Sequence, residues 1–333
     1  MAAKTKPNIL VTGGGGFLGK AIVKRLVAAG ENVRSISRNF YPELKSMGVD
    51  QIQGNIGDRS EVLNACRGIQ TVFHVAGKPG IWGNYNDYYQ TNVTGTENVI
   101  DACNHHHISK LVYTGSPSVV FNGLDMEGVD ESVPYPDRFH AHYPQTKAIA
   151  EQLVINASSD KLRSIILRPH LIWGPGDNHL IPRIIAKSKR LKIIGSGKNL
   201  VDTIYIDNAA DAHILAAENL AKKPEISGNV YFISQGEPIL LWDMINAILK
   251  AAGLGPVTGS IPKQTAWLAG AAFEFFYKIL HIKKEPPMTR FVAHELATSH
   301  WFDISAAKRD FGYSPRVSTK EGLRILEDWL KKT

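Results

Sequence analysis

An apolar strand that runs into a glycine-rich turn and then into a helix leaves few folds open. Here Asn8–Val11 reads as a buried strand, and Thr12-Gly13-Gly14-Gly15-Gly16-Phe17-Leu18-Gly19 as the turn. Leu18–Ala29 reads as the helix that follows. Glycines at 13, 16 and 19 allow positive φ and leave room for a pyrophosphate against the backbone. The helix N-terminus then presents free N–H groups and the positive end of its dipole to the phosphates. A mere tight turn is the competing reading. The strand–turn–helix placement within the first thirty residues favours dinucleotide binding.

Alternation continues along the first half of the chain. Asn32–Ile36 and Thr71–Val75 read as strands, and Thr91–His105 as a long helix. The strand Lys110–Thr114, the helix Tyr143–Asn156 and the strand Arg163–Arg168 follow. Such alternation implies an α/β, doubly wound parallel sheet, a Rossmann fold covered on both faces. Regularity falls after Trp173-Gly174-Pro175-Gly176. Val201–Ile206 reads as a short strand, Asn208–Leu220 as a helix and Val230–Ser234 as a strand of the main sheet. The expected division is a nucleotide-binding domain over residues 1–176 and 201–234. Residues 177–200 and 235–333 would form a smaller, mostly C-terminal substrate-binding lobe.

The 333 residues, 44% hydrophobic and 21% charged, are ordinary for a globular chain. A formal charge of +7 suits an anionic ligand or weak attraction to an acidic membrane. The basic residues are scattered, so nucleic-acid binding is not expected. Two cysteines, Cys66 and Cys103, make neither a disulfide framework nor a zinc site, and a reducing cytoplasm is the simplest setting. Met1–Pro7 is short and polar, without a signal-peptide pattern. His105-His106-His107 reads as a helix C-terminal cap region. Ala266–Leu280, the most apolar stretch, is too short to span a bilayer. It reads as a core or substrate-tunnel helix, with an amphipathic helix docking a membrane or a partner as the alternative.

The second strand ends in Ile36-Ser37-Arg38, where NAD-preferring sites carry an acid for the ribose 2′-hydroxyl. Arg38 can pair with a 2′-phosphate and Ser37 can donate to it, which favours NADP(H) over NAD(H). Tyr143-Pro144-Gln145-Thr146-Lys147 sets a phenol and an ammonium on one helix face. A free tyrosine titrates near 10, and a nearby ammonium favours its phenolate. Tyr143 is thus the candidate proton donor, and Lys147 its modulator and a ribose ligand. Ser116 ends a strand at the carboxyl edge of the sheet, where a hydroxyl can orient a substrate carbonyl; Ser118 is the alternative.

Together these residues resemble the extended short-chain dehydrogenase/reductases, within them the 3β-hydroxysteroid dehydrogenase/isomerase-like branch. Asn92-Val93-Thr94-Gly95-Thr96, Arg168-Pro169, Ile172–Gly176 and Tyr205–Ala212 carry the likeness over nearly the whole chain. A narrower similarity, to the bacterial 2-alkyl-3-oxoalkanoate reductases of long-chain olefin biosynthesis, lies in Lys78–Gly83, Tyr113–Ser118, Arg168–Asp177, Asn199–Asp202 and Glu285–Phe291. The resemblance implies Gly13, Gly16, Phe17 and Leu18 at the pyrophosphate, Asn55 and Ile56 at adenine, and Ala76 and Gly77 on the adenosine side. It implies Pro169 and Leu171 at the nicotinamide amide through backbone groups. Asn55 stands where many relatives have aspartate, and Gly115 where a hydroxyl residue is usual.

The implied reaction is NADPH-dependent reduction of a 2-alkyl-3-oxo acid to the 3-hydroxy acid, with no metal required. Implied partners are a β-lactone synthetase and a β-lactone decarboxylase, and a homodimer is expected. Lys78, His142 and His170 are candidates for the substrate carboxylate, and Trp82, Trp267, Phe273 and Phe276 for an apolar tunnel. The competing readings are a 3β-hydroxysteroid or sterol-4-carboxylate dehydrogenase and a catalytically silent NADP(H)-sensing regulator.

Overall fold

The computed structural model describes residues 8–332; the polar Met1–Pro7 segment lies outside the described residues. Seven parallel strands form the central sheet: β1 (Ile9–Thr12), β2 (Val33–Ser37), β3 (Asp50–Gln53), β4 (Thr71–His74), β5 (Lys110–Thr114), β6 (Arg163–Pro169) and β7 (Val230–Ile233). Their order across the sheet is β3-β2-β1-β4-β5-β6-β7. Ile9 stands beside Val33 on one side and Thr71 on the other, so the chain reverses its direction of winding at β1. The carboxyl ends beside that reversal form the crevice where such sheets bind ligands. β1 is buried throughout, as a central parallel strand must be.

β3 and the helix Arg59–Ala65 were not legible in the sequence. β3 is the sheet edge, and its Asp-Gln-Ile-Gln sequence carries one apolar side chain. The expected strand Val201–Ile206 is divided instead: Leu200–Val201 and Ile204–Tyr205 belong to different small sheets, separated by Asp202 and Thr203. The Asp202 carboxylate accepts the Phe302 N–H at 2.7 Å, which turns the backbone there. The expected helix Thr91–His105 begins earlier, at Tyr85, and is π-helical over Tyr89–Thr94 before regular α-helix runs to His105. His106 caps it and hydrogen-bonds the Leu63 carbonyl at 2.8 Å, as its place after the helix suggested.

Cys66 and Cys103 are buried free thiols, and burial pushes the Cys66 thiol up to about 12. Both pack in the core on one side of the sheet with Leu10, Val72 and Tyr113. The helix Lys263–Ile279 departs from the core reading: only Ala266 and Gly270 of it are buried. Trp267, Phe273 and Phe276, expected to line a tunnel, are exposed at 36–57%. Among the described residues no helix is long and apolar enough to cross a membrane.

Candidate active site

The turn after β1 is built from close contacts. Gly13 has φ +68°, and a Cβ there would lie 3.0 Å from the Ala76 Cα. A Cβ at Gly19 would meet the Gly13 carbonyl oxygen at 2.2 Å, so the helix Phe17–Ala28 can seat against the turn only with glycine. Gly15 has a role that motif spacing does not show. The Tyr41 ring lies over it, within 2.0 Å of where a Cβ would stand.

The strand ends beneath the turn are tied by a buried polar chain. Thr12 Oγ1 accepts the Val75 and Ala76 N–H groups at 3.1 and 3.0 Å and bonds His74 Nδ1 at 2.8 Å. His74 Nε2 lies 2.9 Å from Thr96 Oγ1, whose hydroxyl donates to the Asn92 carbonyl. With two N–H groups already on its oxygen, Thr12 donates to Nδ1, leaving the proton of the imidazole on Nε2. Burial holds His74 down at about 3, so the ring stays neutral.

The π-helical turn carries Asn92 into the adjacent junction. Its carboxamide accepts the Lys78 N–H at 2.7 Å and donates to Thr146 Oγ1 at 3.0 Å. One side chain thereby joins the loop after β4 to the helix His142–Ala157 that holds Tyr143 and Lys147. The family-like Asn92 run was visible in the sequence; the extra π residue that aims the side chain was not.

Tyr143 and Lys147 are both on this helix and line the same cavity. Burial raises the phenol of Tyr143 above its ordinary value, and a hydrogen bond with the Ser116 hydroxyl pulls it back. Lys147 is buried and pushed down to about 7, with Glu151 opposing the shift. Its ammonium donates to Tyr113 Oη at 2.6 Å and to the Thr114 carbonyl at 2.7 Å. The expectation that Lys147 makes Tyr143 acidic therefore needs correction for this geometry: the ammonium turns to Tyr113 and Thr114, and burial dominates at the phenol. Ser116 Oγ lies 2.9 Å from Ser118 Oγ and caps the turn Pro117–Val120. Ser116 is in the cavity wall, whereas Ser118 is not.

Glycine at 115, the departure noted in the sequence, has a steric cause. A Cβ at this position would lie 2.8 Å from Glu151 Oε2 and 3.1 Å from the Leu167 carbonyl oxygen. Glu151 is fully buried, held by Arg168 through two bonds of 2.6 and 3.1 Å and by the Tyr135 hydroxyl at 2.7 Å. Arg168 thus braces the sheet behind the site. After Pro169, the backbone of Leu171 is left-handed at φ +45°, a conformation disfavoured for a residue with a Cβ. It lies in the cavity wall with Pro169.

The fifteen residues assigned from sequence to catalysis or cofactor binding all line one cavity of about 590 Å³. Gly13, Gly16, Phe17 and Leu18 form its floor at the glycine turn, with Ala76 and Gly77 alongside. Ser37, Arg38, Asn55 and Ile56 form one end, and Ser116, Tyr143, Lys147, Pro169 and Leu171 the other. Arg38 is exposed, and its guanidinium has no hydrogen-bond or ion-pair partner among the described residues. Tyr41 and Asp177–His179 also line the cavity and were missed. Asp177 caps the helix Leu180–Lys187 by accepting the His179 and Ile181 N–H groups, each at 2.8 Å.

The residues considered for substrate carboxylate or tunnel are outside this cavity. Lys78 pairs with Asp87 at 3.1 Å, and His142 sits edge-on to Tyr85. His170 is buried against His300 and Phe302. Trp82 donates to the Ile282 carbonyl at 3.2 Å. No group of three or more His, Cys, Asp or Glu suited to a metal occurs among the described residues.

Residues 10–261 match the model of the 3-beta hydroxysteroid dehydrogenase/isomerase family. The chain is 48% identical to a 2-alkyl-3-oxoalkanoate reductase of Shewanella oneidensis, over 98% of this chain and 87% of that one. It is 49% identical to the enzyme of the same name from Stenotrophomonas maltophilia, over 96% and 98%. Among solved structures, it is similar to UDP-glucuronic acid 4-epimerase from Bacillus cereus in complex with NAD. There the TM-score is 0.73 and the identity 25%, over 98% of this chain and 99% of that one. With its Rossmann sheet, its glycine turn and a family match across most of its length, the chain belongs to the 3-beta hydroxysteroid dehydrogenase/isomerase family and is an oxidoreductase of the short-chain dehydrogenase/reductase type.

Proposed function

We propose that the protein reduces 2-alkyl-3-oxoalkanoic acids to 2-alkyl-3-hydroxyalkanoic acids with NADPH. The observation that carries this reading is the single cavity that joins a glycine turn and an unpaired Arg38 at one end to Tyr143, Ser116 and Lys147 at the other. Its near-full-length similarity to two reductases of that name supports the substrate class.

The residues present fit a dinucleotide. Cβ atoms at Gly13, Gly15 and Gly19 would fill the turn or collide beneath it, which leaves the backbone open to phosphates. Arg38 and Ser37 suit a 2′-phosphate, and no carboxylate stands at the end of β2 to repel one. Asn55 and Ile56 suit the adenine, and the backbone of Pro169 and Leu171 the nicotinamide amide. When bound, the cofactor supplies a hydride to the substrate C3.

As the carbonyl π electrons move onto oxygen, Tyr143 Oη donates its proton to that oxygen and keeps the O–H electron pair. A phenol raised by burial is fully protonated at neutral pH, the form a reductase requires. Ser116 donates a hydrogen bond to the same developing alkoxide. Lys147, one helical turn along, suits the nicotinamide ribose hydroxyls, and its bonds to Tyr113 and the Thr114 carbonyl fix the helix that carries Tyr143. Among the described residues, 8–176 and 201–234 form the nucleotide-binding part, and 177–200 with 235–332 the substrate lobe. The 3-hydroxy acid product suits a β-lactone synthetase followed by a β-lactone decarboxylase, and a homodimer is the proposed assembly.

The test follows NADPH and NADH oxidation with a 2-alkyl-3-oxo acid and with a 3-ketosteroid. Rapid NADPH use with the oxo acid is expected. Rapid NADH use with the steroid, and none with the oxo acid, would overturn the assignment in favour of a steroid dehydrogenase.

A further inference from the structure

Seven of the nine large hydrophobic side chains exposed among the described residues belong to one segment, Trp267–Leu280. The helix Lys263–Ile279 is firmly seated on its other side. A Cβ at Gly270 would lie 2.6 Å from the Thr289 carbonyl carbon, so helix and backbone are in direct contact. Glu274 accepts the Arg290 backbone N–H at 2.7 Å and its Nε–H at 2.8 Å. The bare side is therefore a fixed surface of a docked helix.

Leu268, Phe275, Phe276 and Ile279 follow helical spacing and, with Leu280, are each 57–64% exposed. Lys278, His281, Lys283 and Lys284 flank them, all exposed. From 263 to 284 the single acid is Glu274, which the Arg290 pair neutralises. An apolar stripe bordered by unopposed cations complements an anionic lipid surface: rings and aliphatic chains enter the acyl boundary while ammonium groups meet the headgroups. A second copy fits less well, because a two-fold contact through this face would bring the two sets of lysines together.

We propose that this face docks the protein on an anionic bilayer. The position has a use under the reductase reading, although the docking stands on the surface alone. The inner side of the helix meets the loop that rims the active cavity: Tyr277 is edge-on to Trp82 at 6.2 Å, and Trp82 donates to the Ile282 carbonyl. Pro79 of that loop lines the cavity. A substrate with two alkyl chains would then enter from the lipid side.

The experiment sediments the full chain with phosphatidylcholine vesicles that contain about one-third phosphatidylglycerol, and with pure phosphatidylcholine vesicles. The parent should partition onto the anionic vesicles and be released by high salt. The pair Phe275→Ser with Phe276→Ser, and separately Lys283→Glu with Lys284→Glu, should each lower partitioning by about tenfold or more. Both should keep the parent's solution size and its turnover of a short, water-soluble 3-oxo acid. Failure of the parent to bind anionic vesicles, or equal binding by the charge-reversed variant, overturns the proposal. So does a serine variant that converts a dimer to a monomer, which would assign the face to a second copy. If the parent binds vesicles but reduces no oxo acid, the docking stands and the reductase reading falls.

Discussion

Lys147 Nζ stands 2.6 Å from Tyr113 Oη, and both groups are buried. Tyr113 comes from the carboxyl end of β5 and Lys147 from the helix His142–Ala157, so this bond fixes the helix carrying Tyr143 against the sheet. Burial raises the Tyr113 phenol far above its usual value, and the pair is an ammonium with a neutral acceptor.

Lys147 is lowered to about 7, so the ammonium is lost as pH rises through that value. With the charged Lys147 as the form that holds the ribose and the helix of Tyr143, kcat/KM for reduction should fall above about pH 7. Lys147→Arg, always charged, should be slower but lose this inflection. Tyr113→Phe removes one acceptor, and its inflection should move to lower pH. Initial rates across a pH series read all three.

Gly15 and Gly19 should fail for different reasons. Gly15→Ala meets the Tyr41 ring, whereas Gly19→Ala meets the Gly13 backbone. Each should weaken NADPH binding by about tenfold or more, as a cradle filled by a Cβ would. Adding Tyr41→Ala should restore binding to Gly15→Ala and do nothing for Gly19→Ala. Fluorescence titration with NADPH distinguishes them.

Much of the site was legible in the sequence because its determinants are local. The glycine turn, the i, i+4 pair and the strand-end serine each draw on a few neighbouring residues. What escaped depends on contacts between distant ones. Tyr41 covers Gly15 from beyond β2, Glu151 forces glycine at 115, and the π turn aims Asn92. The helix Lys263–Ile279 was misread as core because apolar content alone does not tell which face a neighbour will cover.

Arg38→Ala should weaken NADPH by about 1–3 kcal/mol, the scale of a charge-assisted phosphate contact, and leave NADH almost unchanged. The ratio of kcat/KM for the two nucleotides reports this. An equal loss for both would assign Arg38 to a general electrostatic role.

Burial raises the Asp202 carboxyl to about 6. The folded chain holds that proton more tightly than the unfolded one, so the associated stability is present below about pH 4 and is lost as pH rises through about 6. Asp202→Asn keeps an oxygen for the Phe302 N–H and cannot ionise. It should match the parent below about pH 4 and exceed it by about 2–3 kcal/mol near pH 8, measured by urea denaturation.

The most direct measurement is the rate of NADPH oxidation by Tyr143→Phe with a 2-alkyl-3-oxo acid, beside its NADPH dissociation constant. The expected result is a fall of about 10²–10⁴ in turnover with nucleotide binding retained. Turnover at the parent rate would contradict Tyr143 as the proton donor and, with it, the chemistry assigned to the cavity.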